Sequence, residues 1–176
     1  MAKKERIGIL GGSFDPVHRG HIAAALSVLD AAYVNRLLMV PCGSPGHKSC
    51  IAPAEDRWKM LVAACSKDKR LFPSRLELDR AGTSYAVDTL KAVRKEYPDA
   101  DLFYIIGSDT LMTLHHWVDI EEVFSLCSFL VIPREQDVKS SCREEIDRLK
   151  AMGGRLRLLP FSPVVVSSSG DRKSVV

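Results

Sequence analysis

Long apolar runs are missing from this sequence, and that absence excludes whole classes of protein. A membrane-crossing helix needs about 20 consecutive apolar residues, and a secretory leader needs a longer apolar stretch than the short run behind Lys3, Lys4 and Glu5. The expected compartment is the cytoplasm, with no membrane partner. Cysteine is sparse and unpatterned: Cys42, Cys50, Cys65, Cys127 and Cys142 form an odd set without CxxC spacing. A disulfide framework is not expected, which suits a reducing compartment. Cys42 and Cys50 flank His47, but three soft ligands at that spacing fit no common zinc pattern, and no protein-held metal is expected. Charge of one sign is not concentrated anywhere. The chain has 25 basic and 22 acidic residues, a net +3, whereas dedicated polynucleotide binders carry a larger, clustered basic excess. No polynucleotide partner is expected, while small anions remain open. The GxGxxG dinucleotide fingerprint and the GxxxxGK[ST] P-loop are absent as well, so neither hydride transfer nor Walker-type hydrolysis is supported. Internal repeats, low-complexity tracts and linkers are lacking, and 176 residues is about one domain.

What is present is a regular alternation of strand and helix patterns. Short apolar runs at 6–10, 37–40, 71–78 (broken by Pro73), 102–106, 128–132 and 156–161 read as strands. Between them lie helical patterns at 20–32, from Pro53 onward, at 85–97 with Ser84 as N-cap, from Gly107-Ser108-Asp109 through Phe124, and at 142–152. This alternation predicts an α/β fold, a doubly wound, mainly parallel sheet with helices on both faces. In such sheets ligands bind beyond the carboxyl ends of the strands, where strand order reverses. Chemistry is therefore expected in the loops after Leu10, Val40, Ile106 and Phe161.

One segment is dense in unusual residues: Gly11-Gly12-Ser13-Phe14-Asp15-Pro16-Val17-His18-Arg19-Gly20-His21. Paired glycines let a backbone approach a ligand closely, and the amides at a helix start favour phosphate. His18 and His21, three apart on a first helical turn, bring both rings to one face. Gly20 removes a side chain where a nucleotide could press. Two glycines after a strand are often a plain turn, and a single histidine is more often structural. The histidine pair with its glycine, directly behind Gly-Gly-Ser-Phe-Asp-Pro, is a far rarer coincidence.

Residues 11–21 resemble the GG[ST]FDPxHxGH signature of the HxGH nucleotidyltransferases, which move a nucleotidyl group from a triphosphate. Val166-Ser167-Ser168-Ser169-Gly170-Asp171-Arg172 resembles their second signature, ISSTxIR. Within that superfamily the intervening residues resemble the nicotinate-nucleotide adenylyltransferase family. Pro45-Gly46-His47-Lys48 is similar to its PPHK loop, and residues 77–90 to its ELxRxGxSYTxDTL run. Ile106-Gly107-Ser108-Asp109, with Leu114 and Trp117, resembles its IGxDxxxxLxxW segment. The resemblance spans Ile7 to Arg172.

That resemblance implies a Rossmann-like nucleotidyltransferase fold over residues 1–176. It also implies an adenylyltransferase that joins ATP to nicotinate mononucleotide in NAD synthesis, with Mg²⁺ carried on ATP. The implied catalytic residues are His18, His21 and Arg172. Gly11, Gly12, Ser13, Phe14, Gly107, Asp109, Arg134, Ser168 and Ser169 would hold the nucleotide. His47, Lys48, Ser84, Tyr85, Ala86 and Trp117 would meet the acceptor. His18, His21 and Arg172 also have a chemical rationale, because phosphoryl-type transfer is governed by positioning and charge stabilisation. Read alone, Trp117 could equally be a packing anchor, Tyr85 part of a helix core stripe, Asp109 a helix cap, and Lys48 and Arg134 solvated charges.

The sequence departs from the family pattern at Gly46, Ala86, Gly170 and Asp171. It also ends soon after Arg172, where the family continues with a helical segment, so a shortened C-terminal segment is expected. Two alternatives stay open at this point: a related transferase for another phosphorylated acceptor, and a nucleotide-binding module without catalysis. Neither acid against amide preference nor oligomeric state is legible.

Overall fold

The computed structural model describes residues 3–43, 50–134 and 139–160. Strands and helices alternate as β1 (Arg6–Gly12), α1 (Arg19–Asp30), β2 (Arg36–Pro41), α2 (Ala54–Cys65), β3 (Leu71–Pro73) and α3 (Ala86–Glu96). They continue as β4 (Asp101–Gly107), α4 (Ser108–Leu111), a 3-10 turn at Leu114–His116, α5 (Ile120–Leu126), β5 (Ser128–Ile132), α6 (Lys139–Ala151) and β6 (Leu156–Leu158). The sheet order is β3-β2-β1-β4-β5-β6, and every neighbouring pair is parallel. The chain walks outward from β1 to β3, then returns to the other side of β1 and walks outward again. Strand order therefore reverses between β1 and β4, which makes the doubly wound sheet expected from the sequence.

Strand periodicity sorts the side chains into two cores. Ile7, Ile9, Leu38, Val40, Tyr104 and Phe129 face α3, α5 and α6, which contribute Val87, Leu90, Val93, Val123, Phe124, Ile146 and Leu149. Leu37, Met39, Ile105 and Leu130 face α1 and α2, which contribute Ala25, Val28, Leu29, Leu61 and Ala64. Both faces of the central strands are covered, as continuous apolar runs require. Among the described residues, no helix is long and apolar enough to cross a membrane.

Several expected boundaries are corrected. The third strand stops at Pro73 rather than running to residue 78. Proline has no N–H for the ladder, and after the Ser74 N–H reaches Met39 O the chain curls into turns through Asp79. The helix placed at 85–97 starts at Ala86, and Tyr85, not Ser84, holds its cap position without a side-chain cap bond. Pro53 is likewise the cap of α2 rather than its first residue. β1 extends through both glycines, and the last strand ends at Leu158.

Candidate active site

The sheet opens a crevice at its reversal point. β1 pairs with β2 out to Gly12–Pro41, and β4 pairs with β5 out to Gly107–Ile132. Between β1 and β4, however, the register ends at Ile9–Tyr104. The last three residues of each strand, 10–12 and 105–107, therefore splay apart, leaving a gap at the carboxyl edge. The Tyr104 hydroxyl lies in that gap, where a Cβ on Gly11 would stand 2.8 Å from it. Only glycine lets the strand pass the phenol so closely. Tyr104 is fixed from below by Trp117, met edge-on at 5.4 Å, and by Phe129 at 5.8 Å.

On the β1 side the two histidines are part of the helix end itself. His18 is the N-cap of α1 and His21 its third residue, so the first ring lies just outside the first turn. His18 Nδ1 accepts from the Gly20 N–H at 3.0 Å, and His21 Nδ1 accepts from the His18 N–H at 3.1 Å. Each ring thus satisfies one of the orphan amides of a helix start. The rings stack with centroids 3.7 Å apart at 26°, and Phe14 packs edge-on against His21 at 4.9 Å. A ring nitrogen that accepts a hydrogen bond carries no proton, so the neutral tautomer holding both bonds has its hydrogen on Nε2. The cap thereby turns both imidazoles into Nε2–H donors of fixed aim. Protonation at Nδ1 would set hydrogen against hydrogen and break the cap.

The loop between strand and helix is tightly held. Phe14 is 1% exposed with φ 45°, a left-handed conformation that a bulky residue rarely adopts. The Asp15–Pro16 peptide is cis. The Asp15 carboxylate accepts from the Ile51 and Ala52 amides at 2.5 and 2.9 Å, tying the loop to the segment that leads into α2.

Across the crevice, Gly107, Asp109 and Arg134 are brought together. Arg134 Nε donates to Asp109 Oδ1 at 2.9 Å, and the Arg134 N–H donates to Ser108 Oγ at 3.1 Å. A Cβ on Gly107 would stand 2.7 Å from the guanidinium and 2.8 Å from the carboxylate, so the ion pair lies directly over the glycine. The helical region expected from Gly107 through Phe124 is broken into α4, the 3-10 turn and α5, and Trp117 closes the turn; it is half-buried against Tyr104 and Phe129. Tyr85 is 42% exposed and makes no ring contact among the described residues, while Ala86 packs at the core edge. His47, Lys48, Ser168, Ser169 and Arg172 lie outside the described residues.

Three polar residues that the sequence reading did not single out line or support this crevice: Tyr104, Glu77 and Arg57. Glu77 is 7% exposed; burial raises its carboxyl above the ordinary range against the opposing pull of Thr89, Arg80 and Ser84. Burial, with Glu77 nearby, also pushes the Tyr104 phenol up, and it pushes the Cys42 thiol up to about 11, so both stay protonated at neutral pH. Arg57 had a legible signal. It precedes Leu61 and Ala64 by four and seven residues, placing a cation on the buried stripe of α2.

The cytidylyltransferase-like family matches residues 9–169. The probable nicotinate-nucleotide adenylyltransferase of Clavibacter michiganensis is 35% identical over 99% of this chain and 84% of its own length. That of Corynebacterium kroppenstedtii is 42% identical over 95% of this chain and 78% of its own length. The chain belongs to the nicotinate-nucleotide adenylyltransferase family. It is a nucleotidyltransferase. The nicotinic acid mononucleotide adenylyltransferase of Plasmodium falciparum, solved in complex with NaAD, shares the fold with a TM-score of 0.78 at 21% identity, covering 96% of this chain and 83% of that one.

Proposed function

We propose that this adenylyltransferase joins the 5′-phosphate of nicotinate mononucleotide to the α-phosphorus of ATP. The products are nicotinate adenine dinucleotide and pyrophosphate, a step of NAD biosynthesis. The observation that carries the reading is the reciprocal histidine cap at the mouth of the splayed crevice, in a chain of this family.

The chemistry follows from charge. A phosphate monoester has a second pKa of about 6, so the acceptor is mostly dianionic at neutral pH and needs no general base. Its phosphate oxygen attacks the α-phosphorus, the bond to the bridging oxygen breaks, and the electron pair leaves with pyrophosphate. Two polyanions must be brought together, and the charge growing on the leaving group must be met by fixed donors. The Nε2–H groups of His18 and His21 donate to the transferring and departing phosphates. The backbone of Gly11, Gly12, Ser13 and Phe14 cradles the same oxygens, and Ser168, Ser169 and Arg172 close on the triphosphate from the second signature.

Gly107, Asp109 and Arg134 hold the adenosine half, the Asp109 carboxylate accepting from ribose hydroxyls once Arg134 yields it. Ser84, Tyr85, Ala86 and Trp117 surround the nicotinate ring, with the indole face available to a pyridinium. His47 and Lys48 meet the acceptor from their loop. Mg²⁺ carried on ATP would offset part of the triphosphate charge. Imidazole N–H groups, amides and guanidinium suit phosphate oxygens better than they suit a hard cation.

Product analysis tests the reading. Incubated with ATP, Mg²⁺ and a panel of phosphorylated acceptors, the chain should release pyrophosphate and form dinucleotide with nicotinate mononucleotide. Dinucleotide or another adenylylated product formed only from a different acceptor would overturn the substrate assignment. Binding of ATP and mononucleotide without any pyrophosphate release would overturn catalysis.

A further inference from the structure

Among the described residues, Arg57 is the one cation in the set of largest fully buried side chains, 2% exposed. Its Nη1 donates to Ser13 O at 2.8 Å and to Cys42 O at 2.9 Å, and its Nε donates to Ala52 O at 3.2 Å. One guanidinium thus joins the loop after β1, the residue after β2 and the approach to α2. All three acceptors are carbonyls, and among the described residues no carboxylate comes within ion-pair distance of it. A buried charge without a counter-ion is costly, and it lies behind the loop where the polyphosphate is read to bind.

The carbonyl bonds have a geometric consequence. In a trans peptide the C=O and the following N–H point in opposite directions. With Ser13 O held on Arg57, the Phe14 N–H points away from the guanidinium, and with Cys42 O held there, so does the Gly43 N–H. Neither amide has a hydrogen-bond partner among the described residues. Phe14 itself has φ 45°, and its buried ring packs edge-on against His21. Gly43 cannot be another residue here, because a Cβ would overlap Glu77 O.

We propose that Arg57 is a positioning residue for the polyphosphate. It turns the Phe14 and Gly43 amides outward as paired donors, and the bound anion supplies the charge that Arg57 otherwise lacks. The proposal rests on reading the crevice as the ATP site. It assigns the loop after β2 a share in phosphate binding through backbone alone.

Calorimetric binding of pyrophosphate and of nicotinate mononucleotide to wild type, Arg57→Lys and Arg57→Met tests this without relying on turnover. Lysine keeps the charge but replaces the spread planar fork, which uses Nε and Nη1 here, with a single nitrogen. Pyrophosphate affinity should fall at least tenfold in Arg57→Lys and further in Arg57→Met, with mononucleotide affinity within about twofold of wild type. In the assay, kcat and the KM for ATP should suffer while the KM for mononucleotide holds. Unchanged pyrophosphate affinity in a folded variant would overturn the proposal, as would parallel loss of both ligands, the mark of a merely structural arginine. Should neither variant fold, wild type decides: pyrophosphate should shift the ¹⁵N–H signals of Phe14 and Gly43 strongly, and unmoved signals would overturn the assignment. A wild-type chain that binds pyrophosphate yet forms no dinucleotide would instead defeat the proposed reaction, with the binding series still judging Arg57.

Discussion

Two arginines serve the two sides of the crevice in opposite ways. Arg57, behind the β1 side, is buried and bonded to three carbonyls, so its side is built before any ligand arrives. Arg134, on the β4 side, is paired with an Asp109 side chain that is 68% exposed. Such an exposed pair is worth about 0–1 kcal/mol and weakens with salt. On the proposed reading, the phosphate side is preorganised and the adenosine side is held by a contact that a ribose would replace cheaply. Preorganisation belongs where charge develops in the transition state; a yielding contact belongs where a ground-state ligand must enter.

The contrast can be broken most severely at the histidines. His18→Ala removes the side-chain cap of α1 and, on the proposed reading, one phosphate donor. The expected result is a fall in kcat of about 10²–10³-fold, with roughly 1 kcal/mol lost from stability. A fully active His18→Ala protein would mean that the β1 side is not the catalytic side. Gly11→Ala comes next. Its Cβ would collide with a phenol that Trp117 and Phe129 hold in place, and overpacking of this kind costs about 1–3 kcal/mol. Tyr104→Phe in the same chain should restore most of that loss, and denaturant titration of both single variants and the double variant would reveal the coupling.

Asp109→Asn probes the yielding side. Stability should change by less than about 1 kcal/mol, while the loss of a charged acceptor for the ribose should raise the KM for ATP roughly tenfold; steady-state kinetics and thermal melting separate the two. The smallest effect is expected at Glu77. Its folded-state pKa is raised by burial, so the native chain holds this proton more tightly than the unfolded chain does. Its contribution is fully present below the ordinary carboxyl range, declines as pH climbs from that range to the raised value, and is constant above it. Glu77→Gln should flatten that decline in a series of melting curves taken between acid and neutral pH.

The fold was largely legible because the strands are apolar on both faces and the helices are not. The bounds expected for Ser128–Ile132 match the strand at both ends, Pro133 and the charges behind it closing the apolar run. Ser84 misleads because a serine before a helical stripe is a good cap, yet the helix begins one residue later, with Tyr85 at the cap position. The histidine pair was legible from spacing alone, but its role as the helix cap was not. That role depends on which ring nitrogen faces the backbone, which residue identity does not encode. Tyr104 was read only as part of a strand, since nothing local distinguishes a tyrosine packed in a core from one whose hydroxyl emerges between splayed strands. The splay itself is a property of topology, visible only once β1 is known to lie beside β4.

The imidazole tautomers offer the most direct measurement. Long-range ¹H–¹⁵N NMR of the ring nitrogens at neutral pH should show both His18 and His21 protonated on Nε2 and bare on Nδ1, with the Nε2 signals moving on addition of pyrophosphate. A hydrogen on Nδ1 of either ring, or Nε2 signals indifferent to saturating pyrophosphate, would contradict the capped, phosphate-aimed histidine pair.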